Sequence, residues 1–424
     1  MIVKSFAPEK SLMERLPALL SGEPCIVVVR PRKELRELVK NAIQHQLYQK
    51  DDATSEYVAL ENYFTALCAE PSFVEEVQHT IQSISQYLTQ GMIFHFAYKA
   101  LEDYTMARCS QLSARLVSTL CGGRFVDGCD LMVCEEHEGN VLVDWQSSSE
   151  QIRTKCAGGS VVVSGGYGRT STGTNVRIGR GGSDLMATAI ASVLGAERVE
   201  VLTTGDTLPG ITALTYEEAA HLLSADEAPI FPPAMWPAMK SGIPVVVKKL
   251  CAATASDIVI SAQGEERQQG TFTGVLVDRD TTLFTVYGSG LLGTVGLSSG
   301  LFTALARKGI NIRFISQSSA EYSISFAIRR GDAAAAQQAI AGLISDTQYL
   351  QPGDILMVQR EVSIVSVCGA GMRSVPGVSG KLYTALGNAG ISIIAASQGG
   401  EEFSISFVVE SADTDKAVAA LHAL

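Results

Sequence analysis

The sequence predicts an α/β protein built in two ways: a layered α/β domain comes first, then two copies of a β-α-β-β-α-β unit. Three observations carry that expectation. Buried-type strands such as PCIVVV (24–29) and VVVSGG (161–166) alternate with helical patterns in the first half. Between 177 and 203 a glycine-rich loop, a helix and a strand follow one another directly. In the last third the chain repeats itself at a fixed interval of 81 residues.

The first half opens with strands at 1–3 and 24–29 and a helix over 10–20 between them, a βαβ start. Helical patterns at 57–67, 74–88 and 92–101 fill 33–104 as an inserted helical layer. A helix over 104–120 leads to short strands at 124–127 and 131–133, and a stronger strand at 161–163 runs into the Gly165-Gly166 turn. The stretch Arg177-Ile178-Gly179-Arg180-Gly181-Gly182-Ser183-Asp184 is the centre of this half. Glycines let a ligand approach the backbone, and the first turn of the next helix, with Ser183 and Asp184 as candidate caps, attracts negative charge. Leu185, Ala189, Ile190, Val193 and Leu194 give that helix its apolar face, Gly195 stops it, and 199–203 reads as a buried strand. In open α/β sheets ligands sit beyond the carboxyl ends of the strands, so the turns after Val3 and Val163 join the loop as walls of one site. The last strand of this half is expected at 244–249.

A polar stretch, QGEERQQG at 263–270, reads as a linker into the repeat. Leu305/Leu386, Gly309/Gly390, Ile310/Ile391, Gln317/Gln398, Glu321/Glu402 and the SISF runs at 323 and 404 are each 81 positions apart, and Gly288 and Gly290 recur as Gly369 and Gly371. In the first copy strands are expected at 283–287, 311–316 and 322–329, with helices at 297–308 and 333–341.

The 424 residues hold 33 Lys and Arg against 44 Asp and Glu, a formal charge of −11, which argues against a nucleic-acid binder or a protein held on an anionic membrane. No apolar run approaches the roughly 20 residues that span a bilayer. The N-terminus MIVKSFAPEKS lacks signal or transit character, so the cytoplasm is the expected compartment. Nine scattered cysteines without a C-x-x-C pair fit reduced, buried thiols, and six histidines show no metal-ligand spacing, so no metal site is expected.

The GRGGSD loop opening a helix, together with the tandem ISQSSAEYSISF and ASQGGEEFSISF, resembles the aspartokinases, most of all the kinase half of bifunctional aspartokinase–homoserine dehydrogenases. The resemblance is strong over 161–201 and 282–409 and implies a three-layer α/β/α amino-acid-kinase-like domain over 1–262, then ferredoxin-like βαββαβ ACT domains at 271–350 and 351–424. It implies transfer of the γ-phosphoryl of ATP, with Mg²⁺, to the side-chain carboxylate of L-aspartate. Lys4 then falls in the catalytic position, Arg180, Gly181, Gly182, Ser183 and Asp184 in the substrate pocket, and Thr203 on the nucleotide side. Gln317 and Gln398 stand where the family's glutamines contact an amino-acid effector, threonine or lysine, with Asn311, Ile312, Ser392 and Ile393 beginning the strands that lead to them. The resemblance also implies a homodimer or a partner enzyme of the same pathway.

Elsewhere the pattern departs from the family. Its opening signature, lysine, phenylalanine, two glycines, threonine and serine, runs here as Lys4-Ser5-Phe6-Ala7-Pro8-Glu9. Arg30 stands where a serine ends the second strand, and Arg32-Lys33-Glu34 replaces a glycine–threonine turn. Cys109-Ser110 replaces a glycine–glutamate pair, Thr204 an aspartate and Ala228 a lysine, and the nucleotide loop after Thr204 is short. Phosphoryl transfer rests on positioning and charge stabilisation, so these losses predict impaired chemistry and a pseudokinase that senses an amino acid through its ACT tandem. Two alternatives stand beside it: an active divergent aspartate kinase, or a scaffold that binds a partner. For the loop itself, an aspartate pocket and a helix-capping turn are both open; Arg30, Arg32 and Lys33 read either as a new anion site or as a solvated face.

Overall fold

The structure is a computed structural model and describes residues 1–8, 16–17, 24–49, 53–137, 140–204, 211–223, 228–249, 257–264, 270–287, 297–319, 323–346, 356–400 and 403–424. The helix expected over 10–20 lies outside them apart from Leu16 and Pro17, as do Glu9, Gly288, Gly290, Glu321, Glu402 and most of the linker and of the nucleotide loop. The chain divides into two compact units, Met1–Glu265 and Glu266–Leu424.

In the first unit β1 (Ile2–Phe6) and β2 (Cys25–Val29) pair in parallel, followed by helices α1 (Lys33–Gln44), α2 (Thr54–Thr65), α3 (Pro71–Ile93) and α4 (Tyr98–Cys121). The helix expected over 92–101 is instead the junction of α3 and α4, a turn in which His95 has φ 56°. Then come β3 (Arg124–Val126), β4 (Val133–His137), β5 (Asn140–Val143), α5 (Trp145–Lys155), β6 (Val161–Ser164), β7 (Tyr167–Thr170) and β8 (Asn175–Arg177). The strand expected at 131–133 starts only at Val133, because a short 3₁₀ turn at Gly128–Asp130 carries the chain through Leu131 and Met132. α6 (Gly182–Leu194) leads to β9 (Arg198–Thr203), β10 (Ala213–Thr215), α7 (Tyr216–Leu222), α8 (Trp236–Lys240) and β11 (Val245–Lys249). β11 is not the last strand of the unit: β12 (Ile258–Ser261) returns antiparallel to it.

The strands form an eight-stranded sheet, in the order β10-β12-β11-β9-β1-β2-β6-β3. Phe6, Cys25, Val27, Val29 and Leu202 on one face share a core with α1 to α4, and α6 packs on β1 and β2. β9, β1, β2 and β6 pair in parallel, so their carboxyl ends open side by side between two helical layers. A separate four-stranded sheet, β5-β4-β7-β8, carries the chain from β6 towards α6.

The second unit comprises β13 (Gly274–Tyr287), α9 (Leu297–Arg307), β14 (Ile312–Gln317), β15 (Ser323–Arg329), α10 (Ala333–Asp346), β16 (Leu356–Cys368), α11 (Val378–Asn388), β17 (Ala395–Gln398), β18 (Ser404–Glu410) and α12 (Thr414–His422). Its strands make one sheet in the order β14-β15-β13-β16-β18-β17. β13 and β16 form a long antiparallel ribbon with a bulge between Asp278 and Thr281. Phe284 and Phe326 centre the apolar core of the first copy, and Val367 and Phe407 that of the second. Residues 274–278 pair with the far half of β16, so a strand that precedes the first copy flanks the second.

Candidate functional site

The loop before α6 has the geometry its glycines predict. Gly179 and Gly181 have φ 106° and 70°, and a Cβ on Gly181 would lie 2.7 Å from Phe231 Cβ. Gly181 is the N-cap of α6, so Ser183 and Asp184 are not caps; they sit inside the first turn, both buried. Gly165 passes so close to Ser183 that a Cβ on it would come within 2.7 Å of Ser183 Oγ. The loop is clamped between the β6 turn and Phe231, over whose ring the Arg180 guanidinium lies at 4.6 Å.

Asp184 is the meeting point of the crevice. Ser5 Oγ on β1 donates to its Oδ1 at 2.7 Å, and Arg30 Nη1, one residue beyond β2, donates to its Oδ2 at 3.3 Å. The same guanidinium donates to Pro229 O at 3.2 Å and to Leu202 O at 3.1 Å, reaching the 228–231 segment and the end of β9. Ser110 on α4 donates to Gly165 O at 2.8 Å and so sets a hydroxyl against the turn after β6. Thr203 ends β9 next to Leu202.

Lys4 is not brought to this cluster. Its ammonium lies 3.8 Å from Glu200, its register partner on β9, which also takes Lys248 at 2.9 Å and Arg198 at 2.8 Å. Burial pushes the Glu200 carboxyl up, but the hydrogen bonds from Lys248 and Arg198 and the charges of Lys248 and Lys4 outweigh it and hold it below the ordinary carboxylate range. Because side chains alternate along β1, it is Ser5 rather than Lys4 that meets α6. Ser5 is therefore the residue that sequence reasoning missed, and Arg30, for which an anion site and a solvated face were both open, turns to the carboxylate of Asp184. The available signal was Arg30 standing directly after the all-buried CIVVV strand, at the carboxyl edge of the sheet.

In the second unit Gln317 and Gln398 are the last residues of β14 and β17, both exposed. Asn311 precedes β14 and Ile312 begins it, whereas Ser392 and Ile393 lie ahead of β17, which starts only at Ala395. Gln398 borders a cleft of about 260 Å³ with Ser374, Val378 and Ser379 at the start of α11, and Ser379 Oγ donates to Gln398 Oε1 at 3.3 Å. Half of the positions that would line the matching cleft of the first copy, 81 residues earlier, fall outside the described residues.

Among the described residues no group of three or more His, Cys, Asp and Glu is arranged to hold a metal ion, and no helix is long and apolar enough to cross a membrane.

A model of the amino acid kinase family matches residues 9–249, and one of the ACT domain matches 284–342 and 365–424. The chain is 32% identical over 278 residues to a bifunctional aspartokinase/homoserine dehydrogenase of Haemophilus influenzae, covering 62% of this chain and 33% of that protein. It is 30% identical over 303 residues to the aspartokinase of Geobacillus stearothermophilus, covering 68% and 71%. The crystal structure of E. coli aspartokinase III in complex with lysine and aspartate (T-state) shares the fold, with a TM-score of 0.81 at 20% identity over 100% and 99% of the two chains. The chain spans 33% to 47% of the length of its bifunctional relatives. On the family models and the Geobacillus relative together, the chain belongs to the amino acid kinase family, among the aspartokinases that carry a pair of ACT domains.

Proposed function

We propose that this chain is a non-catalytic aspartokinase homologue serving the synthesis of the aspartate-derived amino acids threonine, lysine and methionine. It is cytoplasmic, binds threonine or lysine through its ACT tandem, and regulates as a homodimer or with a partner enzyme of the same pathway. Its units follow the boundaries 1–262, 271–350 and 351–424. One observation carries the reading: the carboxylate of Asp184 is occupied by Ser5 and Arg30 of its own chain. A kinase needs a cation at the strand ends to neutralise the transferred phosphoryl group. Here Lys4 lies with Glu200, and Arg30 donates to Asp184, Leu202 O and Pro229 O of its own chain. The site retains Arg180, Gly181, Gly182, Ser183 and the α6 first turn for a carboxylate such as that of L-aspartate. The effector cleft is that of Gln398, where a side-chain amide and the first turn of α11 meet the two ends of an amino acid.

Incubation with ATP, Mg²⁺ and L-aspartate, with aspartyl-phosphate captured as hydroxamate, should give no signal above a protein-free control; a signal that scales with protein sinks the reading. A thermal-shift screen of threonine, lysine and methionine should raise the melting temperature with one of them, since a ligand at 100 times its Kd stabilises by about 2.7 kcal/mol. A second reading, an active divergent aspartate kinase, is favoured by the two arginines, Arg30 and Arg180, gathered at the loop. It requires saturable binding of ATP with Mg²⁺ by calorimetry.

A further inference from the structure

The crevice holds an anion of its own making. Asp184 Oδ2 lies 3.3 Å from Arg30 Nη1, inside the first turn of a 13-residue helix, and both of its oxygens are hydrogen-bonded. The Arg30 side chain is 23% exposed and that of Asp184 5%, so the pair is largely removed from water. Among the described residues Arg30 Nε is buried with no hydrogen-bond partner. Arginine presents five donors, so this guanidinium, set against three acceptors, keeps unspent donor capacity beside a helix N-terminus. The carboxylate cancels its charge, and in low dielectric that cancellation decides whether an incoming anion is attracted.

We propose that the Arg30–Asp184 pair is an autoinhibitory contact: a tethered carboxylate occupies a guanidinium that would otherwise make the strand ends of β1, β2 and β9 a site for small oxyanions of the phosphate and pyrophosphate class. The inference rests on the reading of the crevice given above and deepens it, because it says what keeps phosphate groups out. No bond is made or broken. A ligand anion must displace Asp184 from Arg30, and Asp184 has the advantage of being covalently held at the place of binding.

The test is calorimetric titration of inorganic pyrophosphate into the full-length chain and its variants. The wild type should show no saturable binding at 5 mM. Asp184→Asn keeps an acceptor for Ser5 Oγ and removes the charge; it should bind pyrophosphate at least 10-fold more tightly than the wild type. The double variant Asp184→Asn with Arg30→Ser should lose that gain, which ties it to the guanidinium rather than to a looser fold. A folded Asp184→Asn variant that binds no better than the wild type overturns the proposal. If Asp184→Asn does not fold, Asp184→Ser carries the same comparison. The wild-type arm stands alone as well: saturable pyrophosphate binding that Arg30→Ser abolishes would mean the guanidinium is already available, and the contact would not be inhibitory. These outcomes separate from those of the hydroxamate assay, since a silent assay with no gain in Asp184→Asn removes this inference and leaves the non-catalytic reading in place.

Discussion

The internal repeat allows single residues to be judged against their own counterparts. Thr282 and Ser363 are 81 positions apart and both buried, but only the second is satisfied: Thr414 Oγ1 donates to Ser363 Oγ at 2.7 Å. The counterpart of Thr414 is Ala333, and the Thr282 hydroxyl is buried without a partner among the described residues. An unsatisfied buried hydroxyl costs about 1–3 kcal/mol, whereas a made hydrogen bond contributes about 1 kcal/mol. Thr414→Ala should therefore lower stability by about 1–3 kcal/mol, and Ala333→Thr should raise it by about 1 kcal/mol. Urea unfolding of the full chain would read both; a midpoint that falls for Ala333→Thr would show that the added methyl and hydroxyl do not fit. Such differences are invisible in the sequence, where Thr282 and Ser363 are simply two small polar residues in strands. The same holds for Ser5, whose meeting with Asp184 across 179 positions depends on which face of β1 it takes.

At the scale of elements, periodicity exposed the helix after GRGGSD and the buried strands, because a continuous core face repeats along the chain. It failed where two elements abut without punctuation: α3 and α4 meet at a turn closed by His95, with no glycine or proline to mark it. It also missed β12, four residues whose strand character comes from pairing with β11 and β10. The crevice was legible as a place, from the strand ends and the glycines, but not as a charge pattern. That pattern is set by cross-strand register, and Glu200 is the clearest case. It joins Lys4, Arg198 and Lys248 across the three adjacent strands β1, β9 and β11, where cross-strand pairs stabilise the sheet. Removing one partner from a buried ion cluster costs about 3–5 kcal/mol, and Glu200→Gln should lose stability near the low end of that range at pH 7. The folded-state carboxyl is held below its ordinary value, so its contribution is present above the unfolded value of about 4.3 and is lost as pH falls through the lower folded value. The stability gap between wild type and Glu200→Gln, measured by denaturant titration at several pH values, should shrink below about pH 4.3. A gap that stays constant to pH 3 would mean that packing, not charge, is what the variant removes.

Across the whole molecule the sequence foretold two architectures and a duplication, since an 81-residue identity pattern survives where exact contacts do not. The duplication does not reveal which strands each copy borrows. β13 runs along β16 for nearly its whole length, from Gly274 opposite Cys368 to Tyr287 opposite Leu356. One half of that ribbon carries β15, the other β18. A fragment beginning at Leu356 would thus keep α11, β17, β18 and α12 but expose the whole edge of β16, and Val275, which packs on the core of the second copy, would be gone. An open edge of that length leaves a row of backbone donors and acceptors unpaired and invites aggregation. The 266–424 fragment retains the full six-stranded sheet and both helix-covered cores. It should unfold in a single cooperative urea transition, while 356–424 should lack one and self-associate in analytical ultracentrifugation. Cooperative unfolding of monomeric 356–424 would show that the second copy completes itself without β13, and the ribbon would then be a junction between finished domains rather than part of the second one.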